Sequence, residues 1–478
     1  MDWLGTIAQF WPHLAAGFNF LAVLLSSAHV LLHKRDPRAA TLWIGIIWLL
    51  PLVGAVLYLT MGFNRIRRRA ISLGVHGAFR RPVPEYLGEP NPSAAEPLKM
   101  LAGVVNRIVA RPLTAGNRIH ALVNGDEAFP DMLAAIESAQ KTISLTTYIF
   151  DNDQTGKQFA DALGRAAARG ASVRVLIDAA GARYSWPPIT RQLRHLNVTV
   201  ARFLPSLMPW RVTTINLRSH RKVLIVDGAL AFTGGMNIRH GNRLAAKPAG
   251  PVQDLHFRVE GPLVAQLQEA FVNDWAFTTR EVLDGPAWFP ELPERGGVVA
   301  RVITDGPDAD LGKLRWTLLP ALAAAQSSVQ IITPYFLPDP ILVSALALAA
   351  LRGVRVDIIL PEKNNLPFVH WASRAMWWQV LERGCRIWLG PPPFDHSKLM
   401  IVDGHWVLLG SANWDTRSLR LNFELNVECY GREFARVMTA VFEKKISAAR
   451  EVSLAEVDGR RTSTKLRDAV ARLFSPYL

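Results

Sequence analysis

The pattern His-x-Lys-x4-Asp-Gly occurs twice, as His220-Arg221-Lys222-Val223-Leu224-Ile225-Val226-Asp227-Gly228 and as His396-Ser397-Lys398-Leu399-Met400-Ile401-Val402-Asp403-Gly404. Each copy is followed by a small-residue turn ending in asparagine, Gly234-Gly235-Met236-Asn237 and Gly410-Ser411-Ala412-Asn413. A lone His-x-Lys arises by chance and most often marks a structural histidine; two copies of the whole pattern do not arise that way. On an extended run alternate side chains leave the same face, so the histidine and lysine of each copy converge. The apolar run behind them has the length of a buried strand and would fix both on rigid backbone. An imidazole can attack phosphorus and an ammonium can neutralise phosphate oxygens, so the kit suits phosphate chemistry.

The flanks repeat as well. Ile143 to Phe150 reads as a strand, Gly156 to Arg169 as a helix and Ser172 to Asp178 as a strand. Val329 to Phe336, Asp339 to Arg352 and Val354 to Leu360 read the same way, and Gly170 and Gly353 stand just past the two helices as C-cap glycines. Alternating strand and helix implies an α/β layered unit with a largely buried sheet, here built twice. Two such units facing each other would bring the histidine motifs into one site.

Ahead of this body, Trp3 to Leu32 holds no Asp, Glu, Lys or Arg, and a second uncharged run covers Thr41 to Phe63. Both are long enough for a bilayer, which predicts a hairpin over residues 1–70 with spans at about 10–32 and 41–63. Pro51 and Gly54 do not demote the second run, because membrane helices tolerate them. No positive n-region precedes the first run, which disfavours a cleaved signal peptide. The basic residues beyond the second span, Arg65 and Arg67 to Arg69, against Lys34, Arg35 and Arg38 in the link, place both ends in the cytoplasm. Residues 71–115, rich in Pro, Gly and charge, read as a linker with some local structure. The repeats then fall at 116–295 and 296–478.

With 54 basic against 40 acidic residues the net charge is +14, which points to an anionic partner, nucleic acid or a phospholipid surface. Cys385 and Cys429 are the only cysteines, excluding a disulfide framework and Cys/His zinc spacing. The loop Leu204 to Trp210 reads as an interfacial loop or a buried connection. Leu366 to Trp378, with Trp371, Trp377 and Trp378, reads as a core-facing helix, and the stretch around Arg460-Arg461 and Lys465 as solvated surface.

The doubled motif resembles the phospholipase D superfamily, and with the N-terminal spans the chain resembles its bacterial cardiolipin synthase branch from end to end. Tyr148-Ile149-Phe150, Arg218 to Lys222, Gly234 to Ile238, Thr333 to Phe336, Gly410 to Ser418 and Asn422 to Asn426 carry that resemblance. It departs at Val252-Gln253-Asp254, where those synthases have Trp-Arg-Asp and only the acid is kept.

The resemblance implies two pseudo-symmetric α/β sandwich domains with mixed sheets. It implies a phosphatidyltransferase that makes cardiolipin and glycerol from two phosphatidylglycerol molecules through a phosphatidyl-histidine, with His220 as nucleophile and His396 as acid and base. Lys222 and Lys398, with Asn237 and Asn413, would bind the phosphate oxygens, so no metal or other cofactor is needed. Asp254 and Glu424 match the histidine-orienting positions, with Asp403 or Glu424 behind His396. Asp227 and Asp403 have a direct catalytic role or a structural one. The partners implied are anionic phospholipids and the bacterial inner membrane, with no nucleic acid. A phospholipid hydrolase is the alternative; a superfamily nuclease and a non-catalytic lipid-binding scaffold fit less well.

Overall fold

The computed structural model describes residues 3–34, 37–59, 96–109, 111–205, 217–307 and 310–475. The arginines at 65–69, the expected linker up to residue 95, and the apolar loop from Ser206 onward lie outside them. The chain divides into two compact units, one within Met1–Leu73 and the other holding the rest of the described chain.

In the N-terminal unit, Trp3–His33 is one helix whose Phe10–His33 portion is long and apolar enough to cross a membrane. The second run is helical in two pieces, Pro37–Leu49 and Pro51–Leu57. Proline lacks the amide that would continue the ladder, so the helix kinks at Leu50-Pro51. The bonds Leu50 N to Ile46 O (2.9 Å) and Gly54 N to Leu50 O (2.5 Å) carry it across the kink. A side chain at Gly54 would meet the Ile46 carbonyl, so the concave side admits only glycine. The expected second span is thus met in part, by a kinked pair of helices rather than one continuous helix. Val23, Val30, Ile47 and Tyr58 form the seam between the helices, with Tyr58 Oη 2.7 Å from His29 Nδ1.

The larger unit is a doubled α/β structure on one large mixed sheet. Its two halves meet where Thr114–Val123 pairs antiparallel with Val298–Asp305. Outward through the first half run Leu255–Glu260, Leu230–Gly234, Val223–Val226, Thr142–Thr147, Ser172–Asp178 and Thr199–Phe203. Through the second half, in matching order, run Asn422–Tyr430, Trp406–Gly410, Leu399–Val402, Ser328–Ile332, Arg355–Pro361 and Arg386–Gly390, with Arg450–Val452 as an added edge. The outer three strands of each matched set are parallel, and the helices Gln154–Ala168 and Pro340–Leu351 supply the crossovers that parallel pairing requires. Asp153 and Asp339 cap those helices by accepting backbone amides, and Gly170 and Gly353 leave them with positive φ.

Val223–Val226 and Leu399–Val402 are buried on both faces, as unbroken apolar runs dictate. Each turns at its Asp-Gly, where Asp227 and Gly228, and Asp403 and Gly404, all take positive φ, the hairpin chemistry of that dipeptide.

Helix Glu96–Val109, in the stretch read as linker, packs its apolar stripe of Leu98, Leu101, Ala102, Val105 and Val109 into the core of the second half beside Leu314 and Leu318. The fully buried Arg301 bonds Glu428 and donates to Ala102 O (2.9 Å). Both cysteines are free and buried. Of the tryptophan-rich stretch, Trp377 is in the core, Trp371 half-buried and Trp378 exposed, so its aromatic face is shared between core and surface. Arg460 is corrected from solvated surface: with Arg374 and Arg467 it converges on the buried carboxylate of Asp468.

Candidate active site

The short strand before each histidine leaves its own half. Arg218–Ser219 pairs parallel with Asn422–Phe423, and the His220 amide continues the ladder onto Phe423 O (2.8 Å). Phe394–Asp395 pairs parallel with Val252–Gln253, and the His396 amide donates to Gln253 O (2.8 Å). Each histidine is thereby laid against the acid-bearing strand of the opposite half. His220 Nδ1 lies 3.1 Å from Glu424 Oε2 and 3.1 Å from Ser411 O. His396 Nδ1 lies 2.8 Å from Asp254 Oδ2. The two acids do stand behind the histidines, but crossed, which corrects the placement of Glu424 behind His396. A carboxylate on Nδ1 fixes the tautomer that leaves Nε2 for chemistry.

The imidazoles face each other across one cleft, with ring centroids 6.3 Å apart and planes nearly perpendicular. The cleft encloses about 400 Å³, lined by both histidines, both asparagines, Tyr148 and Tyr335 among others. Tyr148 meets His220 edge-on at 5.3 Å and Tyr335 meets His396 at 6.4 Å, so each ring is walled by an aromatic from its own half.

Lys222 Nζ donates to His220 O at 2.6 Å and Lys398 Nζ to His396 O. Burial pushes Lys222 down to about 7 and Lys398 down to about 8, against the pull of Glu424 and Asp254. Both histidines are pushed below their ordinary value, mainly by burial, with the Lys222 and Lys398 charges acting the same way. Burial raises Asp254 to about 6, while for Glu424 burial is outweighed by His220, Lys222 and the Ser411 hydroxyl, leaving it below its ordinary value. Two lysines beside two imidazoles, each imidazole backed by a buried carboxylate, form a lining suited to a phosphate ester.

The small-residue turns bring these groups together. Gly234 and Gly410 have φ near +150°, and a Cβ there would strike the Leu255 or Leu425 carbonyl. One position on, Gly235 leaves room for the Asp254 carboxylate, whereas Ser411 donates its hydroxyl to Glu424 at 2.5 Å. Asn237 accepts the Ile149 amide at 3.0 Å through Oδ1, which turns its NH2 end towards other partners, and Asn413 bonds Asp415.

Asp227 and Asp403 are at the other end of the motif strands, away from the cleft. Asp227 accepts the amides of Gln140, Lys141 and Thr142 at 2.7–2.9 Å. Asp403 accepts those of Gln326, Ser327 and Ser328 over the same range. Of the two roles open from sequence, this is the structural one, and the catalytic alternative is corrected: the aspartates tie the hairpin turn to the start of the neighbouring strand.

A family model described as "Cardiolipin synthase, PLD-like domain" matches residues 132–275 and 318–446, together more than half of the chain. The chain belongs to this family. Residues 21–62 match a second model, "Phospholipase_D-nuclease N-terminal". Among its curated relatives is the cardiolipin synthase of Geobacillus kaustophilus, 31% identical over 96% of this chain and 92% of the relative. Another is that of Listeria welshimeri, 29% identical over 96% of this chain and 97% of the relative. The crystal structure of phosphatidylserine synthase from Haemophilus influenzae superimposes with a TM-score of 0.60 at 16% identity, covering 79% of this chain and all of that one. That likeness is one of fold.

The crossing of the acids was invisible in the motifs, because spacing along the chain carries no information on which half a strand pairs with. Tyr148 and Tyr335 appear in the sequence only as matched landmarks of the repeat. Their matching place near the ends of the strands read at Ile143 to Phe150 and Val329 to Phe336 was the available signal.

Proposed function

We propose that this chain is a membrane phosphatidyltransferase that makes cardiolipin and glycerol from two molecules of phosphatidylglycerol. The observation that carries the reading is the pair of facing imidazoles in one cleft, each backed by a buried carboxylate and flanked by a lysine. A phosphodiester fits between two rings whose centroids are 6.3 Å apart, with Lys222 and Lys398 beside them to offset its charge.

In the first step His220 Nε2 attacks phosphorus, the bond to the glycerol oxygen breaks, and His396 gives that oxygen a proton. In the second the free glycerol hydroxyl of another phosphatidylglycerol gives its proton to His396 and attacks phosphorus, and the bond to His220 breaks. One residue acting as acid and then base follows from reversibility. The phosphorylated imidazole carries positive charge, and Glu424, held ionised, is the better of the two acids to stabilise it; this supports His220 as the nucleophile. The phosphodiester charge offsets the burial that keeps His396 neutral, so His396 holds a proton once substrate is bound. Lys222, Lys398, Asn237 and Asn413 take the non-bridging oxygens, where preorganised donors are worth about 3 kcal/mol each.

We place the protein in the bacterial cell membrane as a multi-pass protein, with 1–70 as hairpin and 116–295 and 296–478 as catalytic domains facing the cytoplasm. The test is purified full-length protein in vesicles with labelled phosphatidylglycerol. Cardiolipin plus glycerol is the expected product; predominant phosphatidic acid would replace this reading with a hydrolase. Cleavage of DNA in a parallel reaction would replace it with a nuclease.

A further inference from the structure

The two walls of the cleft agree in histidine, lysine and asparagine and disagree two residues away. Two positions before His220 stands Arg218, and before His396 stands Phe394. Two positions after Asn237 stands Arg239, and after Asn413 stands Asp415. All four line the cleft. At these two matched positions the first half carries cations where the second half carries Phe394 and Asp415, while Arg417 also lines the cleft from the second half.

Arg218 is only 8% exposed, yet among the described residues its guanidinium has neither a hydrogen bond nor an ion pair. Its charge is felt by Asp178, but the oxygens of Asp178 are taken by the amides of Ala180 (2.8 Å), Gly181 (3.2 Å) and Ser219 (2.9 Å). A guanidinium that lines the cleft with its donors uncommitted can receive an anion there. Arg239, on the same wall, meets Asp151 through Nε (3.3 Å to Oδ2). The other edge of its planar fork suits a phosphate.

We propose that Arg218 and Arg239 form a second phosphate site, which holds the phosphodiester of the accepting phospholipid while the first phosphate is bonded to histidine. This rests on the phosphatidyltransferase reading and extends it. Arg218 and His220 leave the same face of a strand, roughly 6.6 Å apart along it. Two phosphates joined through a three-carbon glycerol bridge are separated by a comparable distance. A phospholipid whose phosphate sits at Arg218 therefore brings its terminal glycerol hydroxyl to the phosphorus on His220. Phe394 and Asp415 at the matched positions supply no such pair of guanidinium groups, so the cleft treats its two lipid substrates differently despite the symmetry of its histidines.

The test compares two reactions of the full-length protein in phosphatidylglycerol vesicles. Cardiolipin formation needs both phosphate sites, whereas exchange of labelled free glycerol into phosphatidylglycerol needs the first alone. In Arg218→Gln and in Arg239→Gln the ratio of cardiolipin formed to glycerol exchanged falls by about ten-fold or more, the loss of a charge-assisted contact made by one lipid only. Phosphatidic acid rises as water captures the waiting intermediate. An equal fall in both reactions, or no fall in either, overturns the second site. Arg239 is the more exposed of the two, so if Arg218→Gln does not fold, Arg239→Gln carries the comparison. A wild-type protein that makes neither product overturns the transferase reading itself, an outcome distinct from a wild type active in both reactions with an unaltered ratio in the variants.

Discussion

Replacing Glu424 by Gln tests the crossed geometry most directly. The side chain is fully buried, receives the Ser411 hydroxyl at 2.5 Å and faces His220 Nδ1 at 3.1 Å, and Gln preserves its shape. What is lost is the charge, and an amide can present NH2 to Nδ1 and so favour the wrong tautomer. A hydrogen bond to a charged group contributes about 1.5–3 kcal/mol, or roughly 10- to 150-fold in rate. Loss of the orienting acid in another histidine-dependent site costs about 10⁴-fold. The expectation is a fall in kcat of about 10²- to 10⁴-fold with little change in KM, because Glu424 acts on the reacting ring and not on the lipid. Initial rates of cardiolipin formation in mixed micelles would measure it, with thermal unfolding to confirm that the variant folds. A loss below about five-fold in a folded protein would refute the assignment of Glu424 to His220.

The pH profile of kcat/KM should be bell-shaped. On the alkaline side Lys222 at about 7 and Lys398 at about 8 lose their charge and phosphate binding weakens; on the acid side Asp254 at about 6 takes up a proton and releases its hold on His396. Lys222, the first of the two to lose its charge, sets that limb, so Lys222→Arg, which keeps its charge, should move it upward, and an unmoved limb would remove Lys222 from it. His220→Ala and His396→Ala should each lower transfer by on the order of a thousand-fold or more, since residues acting as a unit fail together. Substantial activity in either would contradict a shared site. Asp403→Ala should cost about 1–3 kcal/mol of stability in denaturant unfolding, with transfer per folded molecule retained; a catalytic loss at unchanged stability would return Asp403 to the chemistry.

Much of this was legible in the residues, for identifiable reasons. The apolar runs after Lys222 and Lys398 could only be buried strands, and the repeat of His, Lys and Asn at fixed spacing named the polar lining of the cleft. Strand pairing between halves is a different kind of information. Arg218–Ser219 and Phe394–Asp395 are two residues each, too short to announce a partner, yet they decide that Glu424 serves His220 and Asp254 serves His396. The kink at Pro51 shows the opposite limit: composition foresaw an apolar run and tolerated its proline, but length alone could not say that the helix bends there. Arg460 looked like solvated surface because its partner Asp468 neutralises it through tertiary packing with Arg374, nearly a hundred residues upstream.

Helix Glu96–Val109 has a consequence for the way the chain is made. Arg301, which donates to the Ala102 carbonyl, follows that residue by 199 positions. Ribosomes add about 5–20 residues per second, so the helix emerges roughly 10–40 s before that contact exists. The whole first half can be synthesised in that interval while the stripe of Leu98, Leu101 and Val105 has nothing to cover it. Closing so long a loop is slow compared with the local pairing of hairpins. A segment that ends up buried is therefore open to aggregation and proteolysis in the nascent chain, and a ribosome that stalls before the second half is complete releases a first half still trailing an uncovered amphipathic helix.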